Sequence, residues 1–202
     1  MGVALERDSL VHVAATGGYG SVFGETDGVC EVGLLDPLAD DYSLRVPSSQ
    51  LTLLEDALPD GLPGLLEGLS LFHLRVGRGL DVDASFELFL GRDEEGLYGL
   101  WFSRGLERAR QLASVSWEGL SGFRSCVGAL DLGAWHDGGP SCGGCSLDAW
   151  GWSLELAGAG LGASAFGREA APGGLRELCR VLARLGAPIS WGEAGPVASD
   201  GA

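Results

Sequence analysis

The 202 residues, 46% of them hydrophobic and 20% charged, have the composition of a folded globular protein, which excludes a disordered tail or a collagen-like fibre. The 28 acidic and 13 basic residues give a formal net charge of −15, which disfavours nucleic-acid binding because that depends on clustered cations. All 13 basic residues are arginines, so enzymes that need a lysine, such as kinases, P-loop NTPases and pyridoxal-phosphate enzymes, are excluded as well.

The first third of the sequence predicts extended segments followed by two short helices. The strand-like segments are apolar runs bounded by glycine or by Asp-Pro, and they comprise residues 10–15, 21–23 and 30–35. Ser48 and Ser49 are typical helix-capping residues, so we predict a helix over 50–58. Pro63, at a first helical turn, predicts a second short helix through Leu69.

The middle third contains the clearest strand pattern. Residues 71–76 alternate between apolar and polar, and apolar runs at 85–90 and 97–102 flank a charged loop bounded by glycines. This spacing predicts an antiparallel hairpin. After Ser103 we predict a helix, because the leucines and alanines that follow fall on one helical face.

The last third has a similar outline. Residues 150–156 alternate as a strand, and residues 163–166 can return as a second one. A helix after Pro172 carries leucines at helical spacing, and Gly186 followed by Pro188 predicts its end.

Together these elements predict a single α+β domain over residues 1–202. Its sheet is expected to be mainly antiparallel, with hairpin-then-helix units and two or three covering helices. Residues 84–115 and 150–186 share the order strand, strand, helix, which is consistent with an internal duplication or with coincidence, since that unit is common. The N-terminus has acid where a signal peptide needs base, and no apolar run is long enough for a membrane span, so we expect a soluble cytoplasmic protein without a membrane partner.

Catalytic signatures are weak. No Gly-x-Ser-x-Gly elbow is present, and His12 and His73 alternate with apolar neighbours inside predicted strands, which is typical of structural histidines. Acid pairs such as Asp81 with Asp83 lie in polar loops and are typical of solvated turns. The sequence therefore favours a protein without enzymatic activity.

One cluster of possible metal ligands stands out. Cys142 and Cys145 form a Cys-x-x-Cys in a glycine-rich segment, and Cys126 and His136 precede it. Four such ligands can hold a zinc ion in tetrahedral geometry. The alternatives are a disulfide between Cys142 and Cys145 or two incidental cysteines, because a single Cys-x-x-Cys lacks a second pair. Zinc is the one cofactor that we keep as a hypothesis.

Three tryptophans lie close together near the middle of the second half, at Trp135, Trp150 and Trp152. Trp150 and Trp152 share one face of a predicted strand with leucines, which favours packing in the core. An exposed aromatic side chain would instead suit a protein-binding surface, and Trp135 is our candidate for that role.

The leading functional hypothesis is a non-catalytic module that binds another protein, as inhibitors and toxin-neutralising immunity proteins do. A charge of −15 would attract a basic partner, although it also serves solubility. The acids available to such a partner lie in predicted loops, at Asp36, Asp40, Asp41, Asp93, Glu94 and Glu95. The alternatives are a small zinc-binding domain or enzyme organised by Cys142, Cys145 and His136, and a structural subunit of a larger assembly.

Overall fold

The structure is a computed structural model that describes residues 5–58, 60–78, 81–136, 150–168, 171–193 and 195–199. Its elements confirm the predicted α+β fold with mainly antiparallel sheets. Two sheets, of five and seven strands, contain most of the strand residues, and helices cover one face of the larger sheet.

The N-terminal part of the chain forms the five-stranded antiparallel sheet. Its strands are β1 (Leu10–Val13), β2 (Gly18–Thr26), β3 (Val29–Leu34), β4 (Ser43–Pro47) and β5 (Leu51–Leu53). Strands β1 to β4 are neighbours in chain order, and β5 returns to pair with β1, which gives the order β4-β3-β2-β1-β5. A cluster of small apolar side chains is buried on one face of this sheet. It consists of Val11, Val13, Val22, Cys30, Val32 and Val46.

The rest of the chain builds the seven-stranded sheet. Its strands are β6 (Glu55–Asp56), β7 (Leu69–Arg78), β8 (Phe86–Arg92), β9 (Tyr98–Arg104), β10 (Arg110–Val115), β11 (Trp150–Gly158) and β12 (Leu161–Arg168). The order is β10-β9-β8-β7-β11-β12-β6, and β6 pairs in parallel with β12 while the other pairs are antiparallel. A separate hairpin consists of β13 (Ile189–Trp191) and β14 (Pro196–Ala198).

Four helices among the described residues pack on one face of the larger sheet. They are α1 (Leu62–Glu67), α2 (Ser121–Gly128), α3 (Leu132–His136) and α4 (Leu175–Arg184). Alternation along β7 sends Phe72, Leu74 and Val76 to this face, where they join Leu178 and Leu182 of α4 in the largest core cluster. The predicted hairpin and the predicted C-terminal helix are confirmed.

Two predicted helices are wrong. Residues 50–58 contain β5 and β6, because Leu51–Leu53 pairs with β1 and Glu55–Asp56 pairs with β12. The segment after Ser103 turns at Gly105, which has a φ of +58°, and then forms β10 against β9. In both segments the apolar pattern is compatible with a helix, and pairing with a neighbouring strand overrides it.

The absence of a helix after Ser103 bears on the predicted similarity between residues 84–115 and residues 150–186. Residues 84–115 contain three consecutive strands, whereas residues 150–186 contain two strands and a helix. The shared order of strand, strand and helix is therefore not present in the first segment. Among the residues that the structure describes, no helix is both long enough and apolar enough to cross a membrane.

Candidate functional site

A cleft of about 270 Å³ opens between the two sheets. One wall is formed by the five-stranded sheet and the loop between β3 and β4, and the other by the helix-free face of the seven-stranded sheet. Beside the cleft the two sheets are in apolar contact, through Leu10, Leu54, Leu71, Phe89 and Ala157. The cleft therefore lies next to the apolar contact between the two sheets.

Strand register explains why the floor of this cleft is charged. On the helix-free face, β7 presents Leu71, His73 and Arg75 in turn. Pairing places Glu87 of β8 opposite Arg75 and Glu155 of β11 opposite His73. We call these four charged residues, His73, Arg75, Glu87 and Glu155, the cleft floor.

His73 is the buried centre of the cleft floor, with only 5% of its surface exposed. Its Nδ1 lies 3.0 Å from Oε2 of Glu155, its Nε2 lies 3.4 Å from Oε2 of Glu87, and its ring stacks on Phe89 at a centroid distance of 4.2 Å. Burial alone would lower the pKa of His73, but the hydrogen bond with Glu155, the close approach of the Glu87 carboxylate and the charges of both glutamates outweigh it and raise the pKa to about 9. At neutral pH, His73 is therefore a cation that links β7 to the strands on both sides.

Arg75 connects the cleft floor to the opposite wall. Its Nη1 donates a hydrogen bond of 2.7 Å to the Tyr42 hydroxyl, and its Nε lies 3.4 Å from Oε1 of Glu87. The carbon at the centre of its guanidinium is 5.9 Å from the centre of the Tyr42 ring. Burial would raise the pKa of Glu87, yet the nearby charge of His73, together with the charge of Arg75, lowers it. The Glu87 carboxylate is therefore ionised and forms ion pairs with both His73 and Arg75.

Three aromatic side chains border the opening, and we call them the cleft mouth. Phe23, Tyr42 and Phe166 are 37%, 61% and 46% exposed, and all three line this cleft. Phe23 and Tyr42 stack with centroids 6.2 Å apart, and the Phe23 ring covers Gly33, where an added Cβ would come within 2.4 Å of it. They are the three most exposed of the phenylalanines, tyrosines and tryptophans in the described part of the chain.

The acids predicted to meet a partner fall into two groups at opposite ends of the larger sheet. Residues Asp36, Asp40 and Asp41 lie in the β3–β4 loop, which ends at Tyr42 of the cleft mouth. Asp40 pairs at 3.0 Å with Arg108, in the turn after β9. Residues Asp93, Glu94 and Glu95 form the tip of the β8–β9 hairpin, and the register from Phe86 opposite Arg104 to Arg92 opposite Tyr98 places that tip at the far end of these strands. Only the first group shares a loop with a residue of the cleft mouth, Tyr42, and its three acids lie outside the lining of the cleft.

Each group contains one acid that stabilises its own loop. The side chain of Asp36 accepts a hydrogen bond of 2.8 Å from the backbone N–H of Leu38, and that of Asp93 accepts one of 2.8 Å from Leu97. The other members of the two groups are exposed.

Trp135, the predicted aromatic contact for a partner, lies in the core instead. Its indole N–H donates a hydrogen bond of 3.1 Å to the carbonyl of Gly173, and its ring meets that of Trp152 edge to face at 5.2 Å. Its side chain is buried on the helix side of the larger sheet, so a partner cannot reach it in this structure. Trp150 and Trp152 are also buried, which confirms the expected core packing.

Only two of the four predicted zinc ligands, Cys126 and His136, fall within the described residues, so the zinc site is not tested. Cys142 and Cys145 lie outside the described residues, and His136 is the last residue of α3. Burial and the charge of Glu177 raise the pKa of Cys126 in α2, which disfavours the thiolate that a metal requires. In the described ranges, no group of three or more histidines, cysteines and acids is arranged so that it could hold a metal ion, and zinc stays a prediction.

Sequence reasoning interpreted His73 as a structural residue and missed the site around it. The alternation along β7 already placed His73 and Arg75 on one face, but Glu155 follows His73 by 82 residues and its position depends on the sheet order. No family model matches the sequence, and no curated protein or solved structure is significantly similar to it. The function is therefore inferred from the residues of the cleft.

Proposed function

We propose that this protein is a non-catalytic binding module that docks a basic protein at the cleft mouth. The observation that carries the proposal is that the three most exposed aromatic side chains of the described residues, Phe23, Tyr42 and Phe166, border one opening. Clustered exposed apolar groups are typical of interaction sites, and aromatic residues dominate the energetics of protein interfaces.

Acidic residues next to the cleft mouth favour a basic partner. Asp8 lines the cleft, and the exposed Asp40 and Asp41 lie in the loop that ends at Tyr42. The chain as a whole carries a formal charge of −15, which attracts a positively charged protein and accelerates its encounter. An inhibitor or immunity-type protein that neutralises a basic target is the functional class that this arrangement fits best.

The state of the cleft floor supports binding over catalysis. Two cations, His73 and Arg75, lie among two carboxylates, Glu87 and Glu155, so the charges of the floor balance. A general base near neutral pH must be unprotonated, whereas the pKa of His73 is raised to about 9 and both of its ring nitrogens face carboxylates.

Two matched double variants test the proposal. Asp40→Arg/Asp41→Arg reverses two exposed acids beside the cleft, and Glu94→Arg/Glu95→Arg reverses two at the far end of the sheet. Both make the same change in net charge and leave the loop-stabilising Asp36 and Asp93 intact. Tagged wild-type protein and both variants are used to capture partners from the native host, with identification by mass spectrometry.

We expect one basic protein to be retained by the wild type and by Glu94→Arg/Glu95→Arg, and lost by Asp40→Arg/Asp41→Arg. With that partner purified, the cleft-side variant should slow association about tenfold, and added salt should slow the association of the wild type. An acidic partner, or a partner that both variants retain equally, would show that the cleft mouth is not the docking site.

A further inference from the structure

Arg75 is a guanidinium bound within the cleft by contacts that another guanidinium could make. Its partners are the Tyr42 hydroxyl and ring, which belong to the opposite wall, and the Glu87 carboxylate. The Arg75 side chain is half exposed, so these contacts are screened by water and contribute little to stability. Exchange of one guanidinium for another at this position therefore has a small energetic cost.

The cleft has the chemistry that an incoming arginine needs. A guanidinium is planar and always charged, and it stacks on aromatic rings and pairs with carboxylates more effectively than an ammonium. Phe23 and Phe166 border the opening beside Tyr42, and Asp8 adds a carboxylate to the lining. Arg75 itself would then be released toward solvent and the acids of the β3–β4 loop.

We infer that the cleft receives an arginine side chain of the basic partner, whose guanidinium takes the place of Arg75 between Tyr42 and Glu87. This inference rests on the proposed function and names the side chain that the site selects. It makes Arg75 an internal competitor of the partner, so removing Arg75 should strengthen binding.

The experiment titrates the full chain with N-acetylarginine N-methylamide, followed by nuclear magnetic resonance. The matched ligand is the corresponding citrulline derivative, which has the same shape without the charge. The proteins are the wild type, Arg75→Gln and Arg108→Gln. Arg108 is a matched control, because it is an exposed arginine that lies outside the cleft and pairs with Asp40 of the same loop.

We expect Arg75→Gln to bind the arginine derivative about fivefold more tightly than the wild type. This change in affinity corresponds to the free energy of one exposed cation–π contact or ion pair. Arg108→Gln should change the affinity by less than about twofold, since an exposed charge outside the cleft acts only through screened electrostatics. Adding Tyr42→Ala to Arg75→Gln should abolish the gain. Arg75→Met, which keeps the aliphatic stem, replaces Arg75→Gln if that variant does not fold.

An equal gain in Arg108→Gln, or an equal gain for the citrulline derivative, overturns the inference, because the effect would then be general electrostatics or shape. No gain in Arg75→Gln overturns it as well. If the partner is still lost from Asp40→Arg/Asp41→Arg in that case, the proposed function stands without the arginine. If the partner is retained by that variant, the proposed function fails independently.

Discussion

The two faces of the seven-stranded sheet are made by alternate residues of the same strands, and they differ in what they bury. On the helix side, Leu74 and Val76 of β7 are fully buried among apolar neighbours. On the cleft side, Leu71 is buried and apolar, His73 is buried and charged, and Arg75 is half exposed. The helix face stabilises the fold by burying apolar side chains. On the cleft face, removing the charged groups from water costs free energy, and this cost is offset only while each charge has an oppositely charged partner.

The largest effect is expected on the helix face. Leu178→Ala should lower the free energy of unfolding by about 2–5 kcal/mol, because Leu178 is fully buried and its truncation leaves a cavity. Urea denaturation measures the change, and Leu106→Ala is the control, since Leu106 is 94% exposed and should lose less than about 0.5 kcal/mol. If the two variants lost equal free energy of unfolding, the helix face would not be the main source of stability.

The cleft face should respond to the loss of a charge that has partners. His73→Leu leaves the carboxylates of Glu87 and Glu155 close together without their shared cation and should cost about 2–4 kcal/mol. The triple variant His73→Leu/Glu87→Gln/Glu155→Leu removes all three charges and should be more stable than the single variant. If the single variant matched the wild type in urea denaturation, His73 would have no energetic role in the floor.

The stability of the cleft face should also depend on pH, whereas apolar burial on the helix face does not. The pKa of His73 is raised to about 9 in the folded protein from 6.5, so its contribution is complete below pH 6.5 and is lost as pH rises through 9. We expect a loss of about 2 kcal/mol over this range, since partial exposure of the glutamates screens the interaction.

Because the pKa of Glu87 is lowered, its contribution is present above about pH 4.5 and is lost as pH falls through the folded value. Unfolding free energies of the wild type and His73→Leu, measured by urea denaturation at several pH values, check both statements. The difference between the two proteins should shrink as pH rises from 6.5 to 9 and level off above pH 9, and a constant difference would be inconsistent with a protonated His73.

The smallest effect is expected at the rim of the cleft. Asp40→Arg/Asp41→Arg breaks the ion pair with Arg108, but both partners of that pair are exposed, so the melting temperature should stay within about 2 °C of the wild type. Differential scanning calorimetry measures this. A clearly lower melting temperature would show that the loop stabilises the cleft wall, and loss of partner binding could then reflect a changed structure.

Local patterns were sufficient for the parts of the fold that are specified by neighbours in sequence. Apolar alternation predicted β7, the β8–β9 hairpin and β11, and leucines at helical spacing predicted α4. The capping residues Ser48 and Ser49 predict a helix over residues 50–58, and the leucines and alanines on one helical face predict another after Ser103, but neither helix forms. The pairing of these two segments with β1, β12 and β9 depends on contacts that no local pattern contains.

The candidate site was predicted only in part. The loop acids Asp40 and Asp41 are named from their position between predicted strands, and the loop that contains them ends at Tyr42, which lines the cleft. Phe23, Tyr42 and Phe166 were not recognised, since they come from β2, a loop and β12 and meet only when the two sheets pack. Glu155 was missed for the same reason, because sheet order alone places it beside His73.

The position of β7 between β8 and β11 has a consequence for the order of folding. β8 follows β7 closely in the chain, whereas β11 comes only after α2 and α3. Closing the longer loop costs more entropy, so we expect β7 to pair with β8 before β11 arrives. His73 then meets Glu87 first and Glu155 last, and the cleft floor is completed in the final step. In stopped-flow refolding, strand signal should therefore precede the ability to bind the partner, so that only a completely folded chain is competent to bind.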